Sequence, residues 1–415
     1  MRLRPTSRGW GLAGVGLATL GLGTGMGSTD LVRIALLALL CVGGSAAVVA
    51  WRDPARGRHR IDVDRVVMPN PVHAGSAVGV DVHIRARDSG ARTRLAGLKF
   101  AEQAATELSA GKPLKARVLR ERAEVTVSYT VEAARRGRWP IGPLVVTRTD
   151  VFGTMTTSTT LGDSAEVTVW PAITALPTPS DVLVGEPDRV ALGARSPSTD
   201  DASLRDYREG DDLRRVHWSS SARRGALMVR SDERAGMRPV SVIMDLPLRA
   251  GVPLEWTISA GASMALAMLD AGHPVRMLDG ARASAAGTPF VHARTDSARG
   301  ALLDRTLDLE STRSAAEAEK HLVAAAHMLD STEAGGEIVL AVLGALGPKA
   351  RESLAHVVDT AQGWAMVRTD GVGASQQQDS EHTVRALRRA GWRAVAVSPG
   401  EDVVAAWTRM LGSVR

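Results

Sequence analysis

The sequence predicts a membrane-anchored α+β protein of several domains: a two-helix transmembrane hairpin, an antiparallel β-sandwich and a C-terminal α/β domain built on a parallel sheet. Three observations predict it. Two uncharged apolar runs lie near the N-terminus, a region of period-two alternation follows, and the final region alternates short apolar runs with amphipathic segments. Composition agrees with this division. At about 100–200 residues per domain, 415 residues allow two or three domains. A single Cys excludes a disulfide scaffold and a thiolate metal cluster, and 44% hydrophobic with 23% charged residues excludes a mostly disordered chain.

The hairpin comes first. Residues 10–27 (WGLAGVGLATLGLGTGMG) and 34–51 (IALLALLCVGGSAAVVAW) carry no charge. As helices each would be about 27 Å long, close to the roughly 30 Å hydrocarbon core. The first run is rich in Gly, which suits close helix packing in lipid. Trp10 and Trp51 stand where interfacial aromatics are expected, and Arg33 can snorkel to the headgroups. A cleaved signal peptide is the competing reading of the first run. The second run follows after only residues 28–33, however, and no A-x-A site closes the first. Arg2, Arg4 and Arg8 precede the pair, and Arg52, Arg56, Arg58 and Arg60 follow it. The positive-inside rule then puts both termini in the cytoplasm, with the lipid bilayer as the first partner.

The same arginines explain the pI near 10.0. Residues 1–65 hold nine Arg against four Asp, which leaves 42 basic and 41 acidic groups in the rest of the chain. A nearly neutral remainder carries no general footprint for phosphate backbones, so nucleic acid is not expected as a partner.

From 61 to about 172 the pattern alternates, as in VGVDVHI (78–84) and VTVSYTV (125–131), with Gly, Pro and Asp clusters between runs and no convincing amphipathic helix. That pattern reads as a β-sandwich. Residues 171–203 are rich in Pro, Ser, Gly and Asp and read as a linker; 204–233 is densely charged. From 239 the period changes. Strands are expected over 239–246, 274–278, 338–343, 364–368 and 393–397, with helices over 255–271, 298–307, 312–329, 348–361, 380–390 and 401–411. Repeated β-then-α units imply a parallel sheet covered on both faces. The domains are thus expected at 1–58, 59–172, 173–238 (linker and charged tract) and 239–415.

The tract LRDYREGDDLRRVHWSSSARRGALMVRSDE is the most informative stretch. Its Arg205, Tyr207, Gly210, Asp211, Arg214, Trp218, Ala222, Arg223, Leu227, Val229 and Arg230 closely resemble the signature of the bacterial domain-of-unknown-function 58 family. Upstream, Arg136, Gly137, Asp150, Phe152 and Gly153 resemble that family's Arg-Gly stretch and Asp-x-Phe-Gly motif, with Val151 where Pro is usual. The resemblance implies a C-terminal domain similar to von Willebrand factor A, Rossmann-like in architecture, and a two-pass protein of the bacterial plasma membrane. It also implies association with a MoxR-type AAA+ ATPase, and often with a membrane transglutaminase-like protein. The role so implied is that of a non-enzymatic accessory or scaffold in a chaperone-like or cell-envelope system.

Candidate sites follow. A metal-binding A domain carries Asp-x-Ser-x-Ser after its first strand, where hydroxyl and carboxylate oxygens suit Mg²⁺. Here the place reads Asp245-Leu246-Pro247-Leu248-Arg249, both serines lost and a cation in place of the second, so the site is expected to be degenerate and to hold no metal. No cofactor is expected. His217 lies near Asp211, Asp212 and Ser219–Ser221, which invites an alternative reading as a cell-envelope hydrolase, but neighbours in sequence do not make a triad and no G-x-S-x-G elbow accompanies them. For Arg205, Tyr207, Gly210, Asp211, Arg214, Trp218, Arg223 and Arg230 two roles stay open. Asp211 could pair with Arg214 or Arg223 and pin the linker, or the tract could form a partner surface, since Arg, Tyr and Trp dominate interface hot spots. No Walker motif is present.

Overall fold

The structure, a computed structural model, describes residues 2–52, 60–96, 98–109, 116–121, 124–177, 204–206, 218–230, 237–279, 288–293, 297–330, 336–371 and 373–413. They fall into two compact units, Met1–Ala172 and Ile173–Arg415.

The first unit opens with strand β1 (Arg2–Pro5) and two long helices, α1 (Ser7–Gly25) and α2 (Thr29–Trp51). Thr6 caps α1, its hydroxyl accepting the Gly9 N–H at 3.1 Å. Gly27, at φ +67°, helps turn the chain between the helices, a conformation that glycine adopts without penalty. The buried residues of α1 are Gly9, Gly16 and Gly23, spaced by seven. A Cβ on Gly16 would stand 3.2 Å from the Leu39 side chain, and one on Gly23 3.0 Å from Leu31 Cβ. The two helices therefore touch through backbone. Trp10, Val15, Leu17 and Leu22 of α1 and Ile34, Leu37 and Leu40 of α2 point outward. Small residues inside and large apolar ones outside invert the usual pattern of a water-exposed helix pair.

Among the described residues, two helices are long and apolar enough to cross a membrane: α2 and Val252–Asp270. The second of these is a core helix of the other unit, its apolar window 72% buried. The first expected span, α1, is not one of them, because its glycines lower its hydropathy.

The β region comprises β2 (Ile61–Met68), β3 (Val72–His73), β4 (Ala77–Ala86), α3 (Ser89–Leu95), β5 (Lys99–Ala104), α4 (Thr106–Ser109), β6 (Arg117–Arg120), β7 (Glu124–Glu132), β8 (Gly137–Thr149), β9 (Met155–Leu161) and β10 (Ala165–Trp170). Among the described residues one sheet runs β2-β4-β7-β6 and the other β1-β9-β8-β10-β3, with β5 also on β8. Alternation in the sequence becomes the core: Val78, Val80, Val82 and Ile84 of β4 pair with Val131, Tyr129, Val127 and Val125 of β7, all buried. Arg65 on one sheet meets Glu102 on the other at 2.9 Å, both side chains almost wholly buried. Gly142 makes room for this pair. It sits at φ +97°, and a Cβ there would lie 2.9 Å from Arg65 Cζ.

Three features depart from the expected sandwich. The short β3–β10 pairing is parallel, two short helices interrupt the strands, and β1 joins β9 although it precedes the helices in sequence. The last has a physical reason. β9 would otherwise be an edge, and β1 covers its unpaired backbone.

The second unit contains the short antiparallel pair β11 (Leu204–Asp206) and β12 (Met228–Arg230) with α5 (Trp218–Arg224) between them in sequence. The doubly wound part follows: β13 (Val240–Met244), α6 (Val252–Asp270), β14 (Val275–Asp279), α7 (Ala298–Asp304), α8 (Ala315–Asp330), β15 (Ile338–Leu343), α9 (Pro348–Thr360), β16 (Gln362–Arg368), α10 (Ala374–Arg389), β17 (Arg393–Val397) and α11 (Val403–Leu411). Strand order is β14-β13-β15-β16-β17, with every pairing parallel. Wholly buried strands such as IVLAVL match a sheet covered on both faces. α10 begins six residues before the expected helix, because ASQQQD lacks apolar spacing. Residues 173–177, the start of the expected extended linker, are bonded to the α/β unit: Thr174 donates to Ser263 of α6 at 3.0 Å, and Trp407 of α11 donates to the Pro177 carbonyl at 3.2 Å.

Candidate functional site

In open α/β sheets ligands meet the carboxyl ends of the strands where the order reverses. Here that point lies between β13 and β15, and Asp245 stands on it. Its N–H donates to the Val342 carbonyl at 2.9 Å, and its Oδ2 accepts the Gly344 N–H at 2.8 Å. The next strand sends Arg368 beneath it. Arg368 is 1% exposed, donates to the Asp245 carbonyl oxygen, lies 3.7 Å from Asp245 Oδ2 and bonds Asp370 Oδ1 at 2.6 Å. Ser380 of α10 donates to the Arg368 carbonyl at 3.2 Å. Gly344 faces all three charges: a Cβ on it would lie 3.0–3.1 Å from atoms of Asp370, Arg368 and Asp245.

Burial pushes the Asp245 carboxyl above its ordinary range, against the pull of Arg368 and the Gly344 N–H. The residues here do not fit a divalent cation. Asp245 faces the Arg368 guanidinium, and the second carboxylate, Asp370, is already bonded to that guanidinium. Among the described residues no three His, Cys, Asp or Glu gather as metal ligands. Arg249, the cation that the sequence singles out, is an exposed loop residue, while the arginine that meets Asp245 is Arg368. Its signal was available, since it ends the apolar run WAMV, where an unpaired charge could not be buried. A groove of about 440 Å³ opens beside the cluster, walled by Leu248, Ala315, Glu319 and Gly347.

The signature tract is described only in part. Tyr207, Gly210, Asp211, Asp212, Arg214 and His217 lie outside the described residues. Arg205 and Arg230 fall on the paired strands β11 and β12, with Arg205 opposite Val229. Trp218 opens α5 and is 65% exposed, and Arg223 on the same helix is exposed. Ser219–Ser221 lie in the first turn of α5.

The upstream motif has a definite place. Asp150 closes a turn between β8 and β9: Oδ1 accepts the Met155 N–H at 2.7 Å, and Oδ2 accepts the Phe152 N–H at 3.0 Å and the Thr154 hydroxyl at 3.1 Å. Ser45 of α2 also bonds this carboxylate, and together these bonds outweigh burial and hold its pKa below the usual range. Thr6 donates to the Gly153 carbonyl at 2.5 Å, and a Cβ on Gly9 would come 2.1 Å from the Thr154 carbonyl oxygen. The turn thus bonds both helices to the sandwich, a role the sequence motif does not disclose.

A helix pair knitted to a β-sandwich, followed by a doubly wound α/β unit with a closed strand-end cluster, defines the class of this protein. Residues 203–250 match the family described as protein of unknown function DUF58. No curated protein matches the chain. Among solved structures, the PilB minor pilin from Streptococcus sanguinis is similar over 77% of this chain and 87% of its own, at 10% identity and a TM-score of 0.29. A variant of that pilin gives 11% identity over the same shares, also at 0.29. Scores of that size define no common fold.

Proposed function

We propose that the chain is a non-enzymatic scaffold, anchored in the bacterial plasma membrane by the α1–α2 hairpin, that presents a von Willebrand factor A-like domain to a MoxR-type AAA+ ATPase in the cytoplasm. The observation that carries the anchor is the inverted helix pair: glycines face inward at every seventh position of α1, and Trp10, Leu17, Leu37 and Leu40 face out. β1 and β2 both belong to the sandwich, which supports an even number of crossings between them. The arginines flanking the pair favour the cytoplasm for that end. The scaffold role draws support from the strand-end cluster. Where an A domain would hold a metal for a partner's acid, Arg368 supplies an internal cation, and a groove of about 440 Å³ opens beside it. The exposed Trp218 and Arg223 suit a partner contact in the signature tract. A membrane transglutaminase-like protein is a second partner in this proposal.

The test is a pull-down of the ATPase from detergent-solubilised membranes with the wild-type chain and with Asp211→Ala and Arg214→Ala, run beside thermal melts. Variants that melt like wild type and lose the ATPase support a partner surface. Variants that melt earlier place the pair in structural pinning. Normal melts with full retention of the ATPase contradict both roles.

A further inference from the structure

α2 does not complete its outward face with α1. Along its C-terminal half runs a groove of about 640 Å³, within the range of small-molecule sites. One wall is the helix from Leu37 to Arg52, with Gly44 at its floor. The other is the tip of the Asp150 turn, where Val151 is 95% and Phe152 61% exposed. Two apolar side chains held out on a tight, fully bonded turn are not a core. They stand alongside a helix of mean hydropathy 2.3. Fifteen residues at 1.5 Å each give the groove a length of about 22 Å, about the depth of one leaflet with its headgroup layer in a bilayer roughly 40–45 Å thick overall.

Two cations line the groove, Arg52 and Arg148, beside Asp150, whose carboxylate is taken up by the bonds of its own turn, and the sequence continues with Arg56, Arg58 and Arg60. Arg148 is held in place by donation to the Ala96 carbonyl at 3.0 Å. An apolar channel one leaflet deep, closed by arginines at the headgroup level, matches an acyl chain carrying a phosphate. We propose that this groove binds one anionic phospholipid, its acyl chain between α2 and Phe152 and its phosphate at Arg52 and Arg148. The proposal rests on the membrane reading of α2. It gives the exposed Val151–Phe152 pair a role in locking the sandwich to the inner leaflet through a bound lipid.

Gly44 allows a clean test, because a Cβ there meets nothing within 4 Å, so a larger side chain enters the groove and not the protein. The full chain is purified in a non-ionic detergent, incubated with equal phosphatidylglycerol and phosphatidylcholine, and examined by native mass spectrometry. The expected result is one phosphatidylglycerol per chain, preferred at least tenfold over phosphatidylcholine. Gly44→Phe should cut retention at least tenfold, and Arg52→Gln should erase the preference while leaving weak binding of both lipids. Alkaline extraction of membranes is run on all three proteins. If wild type is released by alkali, the membrane reading fails and the lipid site with it. If all three stay in the membrane but Gly44→Phe retains lipid like wild type, or wild type shows no headgroup preference, the lipid site alone is overturned. A wild-type dimer that Gly44→Phe converts to monomer without change in lipid would put a second copy in the groove and also overturn it.

Discussion

Replacing Asp150 by Ala should separate the sandwich from its helices. The carboxylate accepts bonds from Met155 N–H, Phe152 N–H, the Thr154 hydroxyl and Ser45. In the Ala variant the exposed Phe152 can turn its N–H to water, but Met155 is 6%, Thr154 3% and Ser45 6% exposed and none of them can. Stranded buried donors cost about 1–3 kcal/mol each, so three give a loss of about 3–9 kcal/mol. At about 2–4 °C per kcal/mol for a unit of this size, a loss of 3 kcal/mol lowers the melting temperature by roughly 6–12 °C. Asp150→Asn keeps one acceptor and should recover part of that. The pH dependence has a definite sign. Because the folded pKa is depressed, the contribution is present above the unfolded value and is lost as pH falls through the folded one. The gap between wild type and Asp150→Ala should therefore narrow as pH falls below the ordinary carboxylate value of about 3.9. Thermal melts of the full chain in detergent, from pH 3 to 8, measure this. A loss under about 1 kcal/mol at pH 7, or a gap that does not narrow in acid, would refute the role given to this turn.

Two further predictions concern the glycine seam and the strand-end cluster. Gly9→Val should prevent β1 from seating on β9, because its Cβ would meet the Thr154 carbonyl at 2.1 Å, whereas Gly11→Val, with nothing within 4 Å, should leave melting within about 0.5 kcal/mol of wild type; equal behaviour would contradict the seam. Asp245→Asn should gain on wild type as pH rises: the raised folded pKa of Asp245 means its contribution is present below the unfolded value and lost as pH climbs through the folded one, while Asn keeps the acceptor for Gly344. A melting temperature of Asp245→Asn that falls relative to wild type from pH 4 to 8 would contradict the assigned direction.

Much of the fold was legible because periodicity carries it. VGVDVHI and VTVSYTV alternate strictly, and they became the paired strands of one sandwich core. IVLAVL is too short for a helix and too apolar for an exposed strand, and it sits at the centre of the parallel sheet. What the sequence hid was contact over distance. β1 has four residues and no pattern of its own, and its strand form depends on the open edge of β9 about 150 residues later. Lack of charge marks α1 in the sequence, but its hydropathy is diluted by the glycines that make its packing possible. At the strand-end site Asp245 was legible from its place after an apolar run, whereas the choice of Arg368 over Arg249 as its partner follows from sheet order, which no local pattern encodes. The Asp150 motif was visible as residues and silent as to role, since Ser45 and Gly9 meet it only in the folded unit.

In the proposed topology the sandwich and the α/β unit both lie in the cytoplasm, on a hairpin that crosses the membrane twice. Alkaline phosphatase, active only outside the cytoplasm, fused after Arg415 tests this most directly. An inactive reporter in a membrane-bound, full-length fusion is the expected result, with activity restored when the same reporter is fused in the turn after Gly27. High phosphatase activity after Arg415 would put both units outside the cytoplasm and contradict the account.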